Sequence, residues 1–312
     1  MQPSLSLSLL DAIGNTPLVQ LRRVAPQGAA RVFIKLEYYN PTGSYKDRMA
    51  RSVIECAERR GALKPGMRVV EYTGGSTGSS LAMVCAVKGY RFTPVSSDAF
   101  AREKLETMRA MGAEPIVIPS ENGTITPDLW VRMKAEITRQ AAEPATFYAD
   151  QFNNDDVLEG YAGIAREVLD QLGPGIAAFC GAVGTAGMIV GVSRTFKAAG
   201  CKARIVALEP AGSPLLTTGK GGAHRVEGTA AGFWPPHLKA GDYDEARAID
   251  EGEARAMARR LAKEEGIFAG TSTGLNVVAA VQIAQALGPE ATVVTVACDS
   301  GLKYLTGDLY TA

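Results

Sequence analysis

Histidine is almost missing from this chain: His224 and His237 are the only two in 312 residues. A histidine-built metal centre is therefore not expected, since such centres gather several imidazoles at one point. Excess charge is missing too. Lys+Arg and Asp+Glu each total 33, which leaves no net basic charge to hold a nucleic-acid backbone or an anionic membrane. No stretch reaches the roughly 18 uninterrupted apolar residues of a membrane span. The amino terminus carries Leu5, Leu7, Leu9 and Leu10 without a basic leader, and Asp11 breaks the pattern, so it does not read as a secretory signal. Cys56, Cys85, Cys180, Cys201 and Cys298 are scattered with no CxxC pair, and their odd number leaves at least one unpaired. Reduced, cytoplasmic thiols are the expectation.

What is present is ample core material, with 46% hydrophobic and 21% charged residues, enough for two domains. Short apolar runs at residues 32–37, 69–72, 92–96 and 115–118 read as strands, and amphipathic runs at 50–60 and 101–111 read as helices. A second series follows, with strands expected at 176–180, 204–209 and 291–297 and helices at 188–198 and 251–265. This alternation predicts an α/β protein whose mostly parallel sheets are covered by helices on both faces. Residues 136–154 are mostly polar and contain Pro144, so the change of domain is placed there, dividing the chain into 1–150 and 151–312. The active centre is expected in the crevice between the two domains.

Three motifs carry chemistry. Lys46 lies in Asn40-Pro-Thr-Gly-Ser-Tyr-Lys-Asp-Arg-Met49, where a glycine turn sets a lysine at the mouth of a helix. An amine that must form and reform an imine with a carbonyl cofactor needs such a fixed position. An ordinary basic residue beside Asp47 and Arg48 remains an open alternative. After the strand ending near Cys180 comes Gly181-Ala-Val-Gly-Thr-Ala-Gly187, small residues that let a backbone turn sharply and present amides to an anion at a helix start. It is neither GxGxxG nor a Walker loop; a phosphate site, best a monophosphate cofactor, stands beside a merely structural turn. Thr73-Gly-Gly-Ser-Thr-Gly78 interleaves hydroxyls with glycines, which suits a carboxylate or an aromatic oxygen as well as plain helix capping.

Taken in order, Ile13-Gly-Asn-Thr-Pro-Leu-Val-Gln-Leu21, Ser44-Tyr-Lys-Asp-Arg48, Thr73 to Gly78, Gln151-Phe-Asn153, Val183 to Gly187, His224-Arg-Val-Glu-Gly-Thr-Ala-Ala-Gly-Phe233 and Gly266 to Gly274 resemble the cysteine synthase and cystathionine β-synthase family. That family belongs to the pyridoxal-phosphate enzymes of the tryptophan-synthase-β fold, fold type II, and the resemblance spans nearly the whole chain. It implies pyridoxal 5′-phosphate as cofactor and Lys46 as the lysine joined to it. It further implies cofactor contacts from Ser76, from the loop Gly184, Thr185, Ala186, Gly187 and Met188, and from Ser272 at the pyridine nitrogen. The substrate would meet Thr73, Gly74, Thr77, Gln151 and Gly228. An early segment is expected to cross between domains, and a homodimer is implied.

The resemblance implies β-replacement on an O-activated L-serine, O-acetylserine or O-phosphoserine, through an aminoacrylate, with sulfide as the leading nucleophile: cysteine synthesis. Cystathionine or 2,3-diaminopropionate-type synthesis, and β-elimination releasing pyruvate and ammonia, are the alternatives. No carboxy-terminal regulatory domain or haem segment is expected. Three departures bear on substrate. Ser76 stands where the family has asparagine, Met188 where it has a hydroxyl, and Asp155-Asp-Val-Leu-Glu-Gly160 is shorter than the usual segment with histidine and paired threonines. Cys298, His224 and His237 read as structural, and Tyr304 as near the cofactor by resemblance only.

Overall fold

The computed structural model describes residues 7–100, 102–123 and 126–311; Leu5 and Ala101 of the reading above lie outside them. In chain order the elements are β1 (Leu18–Gln20), β2 (Arg31–Leu36), α1 (Lys46–Arg59), β3 (Arg68–Tyr72), α2 (Ser76–Lys88), β4 (Arg91–Ser97), α3 (Arg102–Ala110), β5 (Ile116–Ile118), α4 (Pro127–Ala141), β6 (Thr146–Tyr148), α5 (Asp156–Leu172), β7 (Ala178–Ala182), α6 (Gly187–Ala198), β8 (Arg204–Pro210), the single turn α7 (Leu215–Thr218), β9 (Glu245–Ile249), α8 (Glu251–Arg260), α9 (Thr271–Leu287) and β10 (Thr292–Ala297). A π-helical turn, Leu261–Glu265, prolongs α8.

The chain divides into two compact units, and sequence order does not separate them cleanly. Among the described residues, the first holds 7–13 together with those of Asn40–Gly160. Its four strands run in the order β5-β4-β3-β6, every pair parallel. Val69, Val70, Phe92 and Val95 are buried, the continuous apolar character of strands covered on both faces. The polar stretch 136–154 is not a linker: it contains the end of α4, then β6, whose residues 146–148 pair with Arg68, Val69 and Val70. Gln151 accordingly stays with the first unit.

The second unit takes Gly14–Tyr39 and the chain from Tyr161 onward, the division falling inside α5. Its sheet order is β1-β2-β10-β7-β8-β9, antiparallel only between β1 and β2. What draws the early segment here is β2, which pairs along its whole length with β10, from Arg31 opposite Thr292 to Leu36 opposite Ala297. A polar pin adds to this: fully buried Lys35 donates to the Thr16 carbonyl at 2.5 Å and pairs with Glu167 at 2.8 Å. Val32, Ile34, Cys180, Val206, Leu208 and Val293 of the sheet share one core with Leu275, Val278 and Ile283 of α9 and with Ala254 and Met257 of α8. Helices α8 and α9 approach so closely that a Cβ on Gly274 would strike the Ala254 carbonyl.

Candidate active site

In the first unit Lys46 is the first residue of α1. The turn before it closes through the Gly43 amide donating to the Asn40 carbonyl at 2.7 Å, with Gly43 at φ 72, a left-handed conformation that favours glycine. Lys46 is 8% exposed and its Nζ lies 4.8 Å from the centroid of the Tyr45 ring. Its neighbour Asp47 is fully buried and accepts from the Thr42 amide at 2.7 Å, the Thr42 hydroxyl at 2.5 Å and the Ser80 hydroxyl at 2.6 Å.

The loop Thr73–Gly78 leaves β3 and becomes α2 at Ser76. Thr73 Oγ1 accepts from the Gly75 amide at 3.1 Å. Gly74 lies against the Phe100 ring, where a Cβ would come within 2.6 Å. Thr77 donates to Gln151 Oε1 at 2.8 Å, and Gln151 Nε2 donates to the Tyr72 carbonyl at 3.2 Å. Thr73, Gly74, Ser76, Thr77 and Gln151 therefore stand at one end of the parallel sheet, beyond the carboxyl ends of β3 and β6. The turn that carries Gln151 leads directly into α5 at Asp156.

In the second unit β7 ends at Ala182 and α6 begins at Gly187. Ala186 at φ 67 turns the chain into the helix. Thr185 Oγ1 accepts from the Gly187 amide at 3.4 Å. Gly184 has no room for a side chain, because a Cβ would strike the Gly228 carbonyl; the two residues thus form one surface. Met188 does not extend this polar loop. It is buried, and its Cε fills the space beside Gly181, where a Cβ would approach within 2.5 Å.

Ser272 is buried in the first turn of α9, after Gly270. Asp299 and Tyr304 cover Gly270: a Cβ there would come within 2.5 Å of Asp299 Oδ1 and of the Tyr304 ring. Tyr304 donates to Asp299 at 2.8 Å, and burial followed by the Asp299 charge pushes its phenol well above the usual value. Asn276 ties α9 to two strands, accepting from the Ala182 amide at 2.7 Å and donating to the Val296 carbonyl at 2.9 Å. The histidines are occupied structurally: His224 Nε2 bonds the Ala230 carbonyl and its Nδ1 accepts from the Val226 amide, while His237 is buried.

Helix starts differ in how they are capped. Thr126 caps α4 by accepting from the Leu129 amide, and Asp250 caps α8 by accepting from the Glu253 amide. In α1, α2, α6 and α9, as in the single turn α7, the N-cap residue itself makes no side-chain hydrogen bond, although the Lys46 amide donates to Ser44 Oγ at 3.2 Å. At a helix start the dipole favours an anion. The α6 entrance, with Ala186 in the left-handed region and a glycine that cannot be enlarged, fits a phosphate group. The α2 entrance, flanked by Thr73, Thr77 and Gln151, fits a carboxylate. Asp47, Glu71, Ser80 and Asn276 support these loops and were missed from sequence; only Asp47, inside the lysine motif, gave any signal.

The chain matches the family described as pyridoxal-phosphate dependent enzyme over residues 9–299, and it belongs to that family. Within it, the relatives narrow the class. A cysteine synthase of Staphylococcus aureus is 41% identical over 310 residues, covering 97% of this chain and 96% of that protein. A probable cysteine synthase of Bacillus subtilis is 39% identical over 96% of each chain. Among solved structures, an O-ureido-L-serine synthase superposes with a TM-score of 0.88 at 38% identity, covering 98% of this chain and 96% of the other. A cysteine synthase from Entamoeba histolytica gives 0.90 at 32% identity over 100% and 93%. The fold is therefore that of the fold-type II enzymes, with mostly parallel sheets covered by helices.

Proposed function

We propose that this enzyme carries out β-replacement on an O-activated L-serine, with sulfide as nucleophile, making cysteine. Its likeness to cysteine synthases over nearly the whole chain supports the reading, and the observation that carries it in the structure is the α6 entrance, where Ala186 lies in the left-handed region and Gly184 cannot be enlarged against the Gly228 carbonyl. The residues present fit pyridoxal 5′-phosphate: Gly184, Thr185, Ala186, Gly187 and the amide of Met188 would hold its phosphate, Ser272 its pyridine nitrogen, Ser76 its ring oxygen, and Lys46 its carbonyl carbon. When bound, that cofactor supplies the electron sink for chemistry at the α and β carbons of the amino acid.

The chain's own residues do the rest. Thr73 through its hydroxyl, Gly74 and Thr77 through backbone N–H, and Gln151 through the second hydrogen of its side-chain amide take the substrate carboxylate, which fixes the α carbon. Lys46 Nζ removes the α proton and returns it once the nucleophile has added. Gly228, whose carbonyl abuts Gly184, lines the same loop surface. A neutral serine at position 272 would leave the bound ring nitrogen less protonated than a carboxylate would, which would favour elimination of the β substituent. The enzyme is read as a cytoplasmic homodimer. Among the described residues no helix is long and apolar enough to cross a membrane.

The test is to incubate purified holoenzyme with O-acetylserine, O-phosphoserine, serine or cysteine, with and without sulfide, and to identify products. Cysteine is the expected product; pyruvate alone would overturn the replacement reading. The O-ureido-L-serine synthase relative, 39% identical over 97% of this chain, favours a second reading in which a small nucleophile other than sulfide is used, and the same assay with hydroxyurea, whose oxygen would form the new Cβ–O bond as the acetate leaves, distinguishes it.

A further inference from the structure

Glu71 has no place in the reading above, yet it is fully buried at the end of β3 beside the Thr73–Gly78 loop. One of its oxygens accepts the Tyr72 amide and the other the Gln151 amide, each at 2.9 Å. The Gln151 amide lies in an unusual turn. Asp150, just before it, has φ 50, a left-handed conformation disfavoured for residues with side chains. The Asp150 carbonyl accepts from the amides of Asn153 and Asn154 at 3.0 and 2.9 Å, and its carboxylate takes Asn153 Nδ2 at 2.8 Å. The chain is thereby bent so that the Gln151 amide faces inward, to Glu71, while the Gln151 side chain bridges the Thr77 hydroxyl and the Tyr72 carbonyl.

We infer that Glu71 is a positioning residue for the amino-acid substrate: by holding the Tyr72 and Gln151 amides it fixes the strained Asp150–Gln151 turn, and so presents the Gln151–Thr77 pair to the substrate carboxylate. The inference rests on the assignment of Gln151 and Thr77 to that carboxylate. A carboxyl group suits the task because both of its oxygens keep lone pairs for the two amides even when burial makes it hold a proton, whereas an amide nitrogen has none to offer. A glutamine of the same shape would turn an NH2 group against one of the two amides and leave a buried donor unsatisfied.

The test compares wild-type holoenzyme with Glu71→Gln, Gln151→Ala and the double variant, using O-acetylserine and sulfide. Glu71→Gln is expected to raise the KM for O-acetylserine about tenfold while kcat stays within about threefold. The double variant should be no worse than Gln151→Ala alone, because the two residues act as one unit. An unchanged KM in Glu71→Gln, or penalties that multiply in the double variant, would overturn the inference. Calorimetric titration of the same proteins with L-alanine, which has no leaving group, makes the comparison independent of turnover. If no protein replaces the acetyl group but the alanine affinities follow this pattern, the reaction reading fails and the role of Glu71 stands. Should Glu71→Gln not fold, hydrogen exchange of wild-type protein decides: slow exchange of the Gln151 amide supports the inference, and fast exchange rules it out.

Discussion

Ser80 Oγ donates to Asp47 Oδ1 at 2.6 Å, joining the helix that opens with Lys46 to the helix that grows out of the Thr73–Gly78 loop. With the two donors from Thr42, this carboxylate fixes the first turn of α1 from outside the helix. Hydrogen bonds to a charged group are worth about 1.5–3 kcal/mol, more than neutral ones. Asp47→Ala should therefore lower holoenzyme stability by about 3 kcal/mol in denaturant titrations, and reduce turnover as the lysine loses its frame. Ser80→Ala should cost about 1 kcal/mol and leave turnover nearly intact.

Lys46→Ala removes the amine assigned to the cofactor and to the α proton. Turnover should fall by more than about a hundredfold, the scale of a lost general base, and the absorbance band of cofactor bound to lysine should disappear. Retention of both would reject the assignment.

Gly184→Ala sets a methyl group against the Gly228 carbonyl, a backbone atom that cannot yield as a flexible side chain can. The loop must shift, and cofactor retention during dialysis should drop about tenfold or more relative to wild type. Met188→Thr, by contrast, empties the space beside Gly181. It should destabilise the protein by about 1–3 kcal/mol without tightening the cofactor.

Glu71 also makes stability depend on pH. Burial, the largest influence, pushes its carboxyl from the ordinary 4.5 up to about 8, against opposing hydrogen bonds from the Gln151 and Tyr72 amides. Between those values the folded chain keeps a proton that the unfolded chain has released, so stability falls as pH rises across the window and levels off above it. The slope is at most about 1.4 kcal/mol per pH unit. Urea titrations should show this decline in the wild type and its absence in Glu71→Gln.

The Lys35–Glu167 pair tests how the early segment is held. Lys35→Ala removes one partner of a buried pair and also the donor to the Thr16 carbonyl, so a loss of about 3–5 kcal/mol is expected. Lys35→Met keeps the volume and should cost less, though Glu167, still accepting from the Asn15 amide at 3.0 Å, keeps part of the penalty.

Strands such as β3, β4, β8 and β10 were legible because each is built around a short run rich in apolar, β-branched residues, and the motif loops because glycine and hydroxyl residues are unusual in that density. Strand β6 was not legible: Thr146–Tyr148 is three residues long, sits in a polar stretch, and exists only through its pairing with β3. Strand β9, Glu245–Ile249, carries charged residues and is read as a strand only from its register on β8. In the π-helical turn Leu261–Glu265 the backbone departs from the α geometry expected across residues 251–265. The site shows the same limit. Lys46 and its loops announce themselves, whereas Glu71 and Asn276 work through hydrogen bonds to distant backbone, which leaves no mark in local sequence.

The placement of β2 against β10 has a consequence for synthesis. β2 leaves the ribosome early and must wait for a neighbour, β10, that emerges only after all the other strands. The strands and helices that make up the first unit's sheet are meanwhile already translated. Vectorial folding should therefore finish the first unit while the apolar edge of β2 is still unpaired, and a nascent chain stalled before residue 292 would present that edge to chaperones or to other copies of itself.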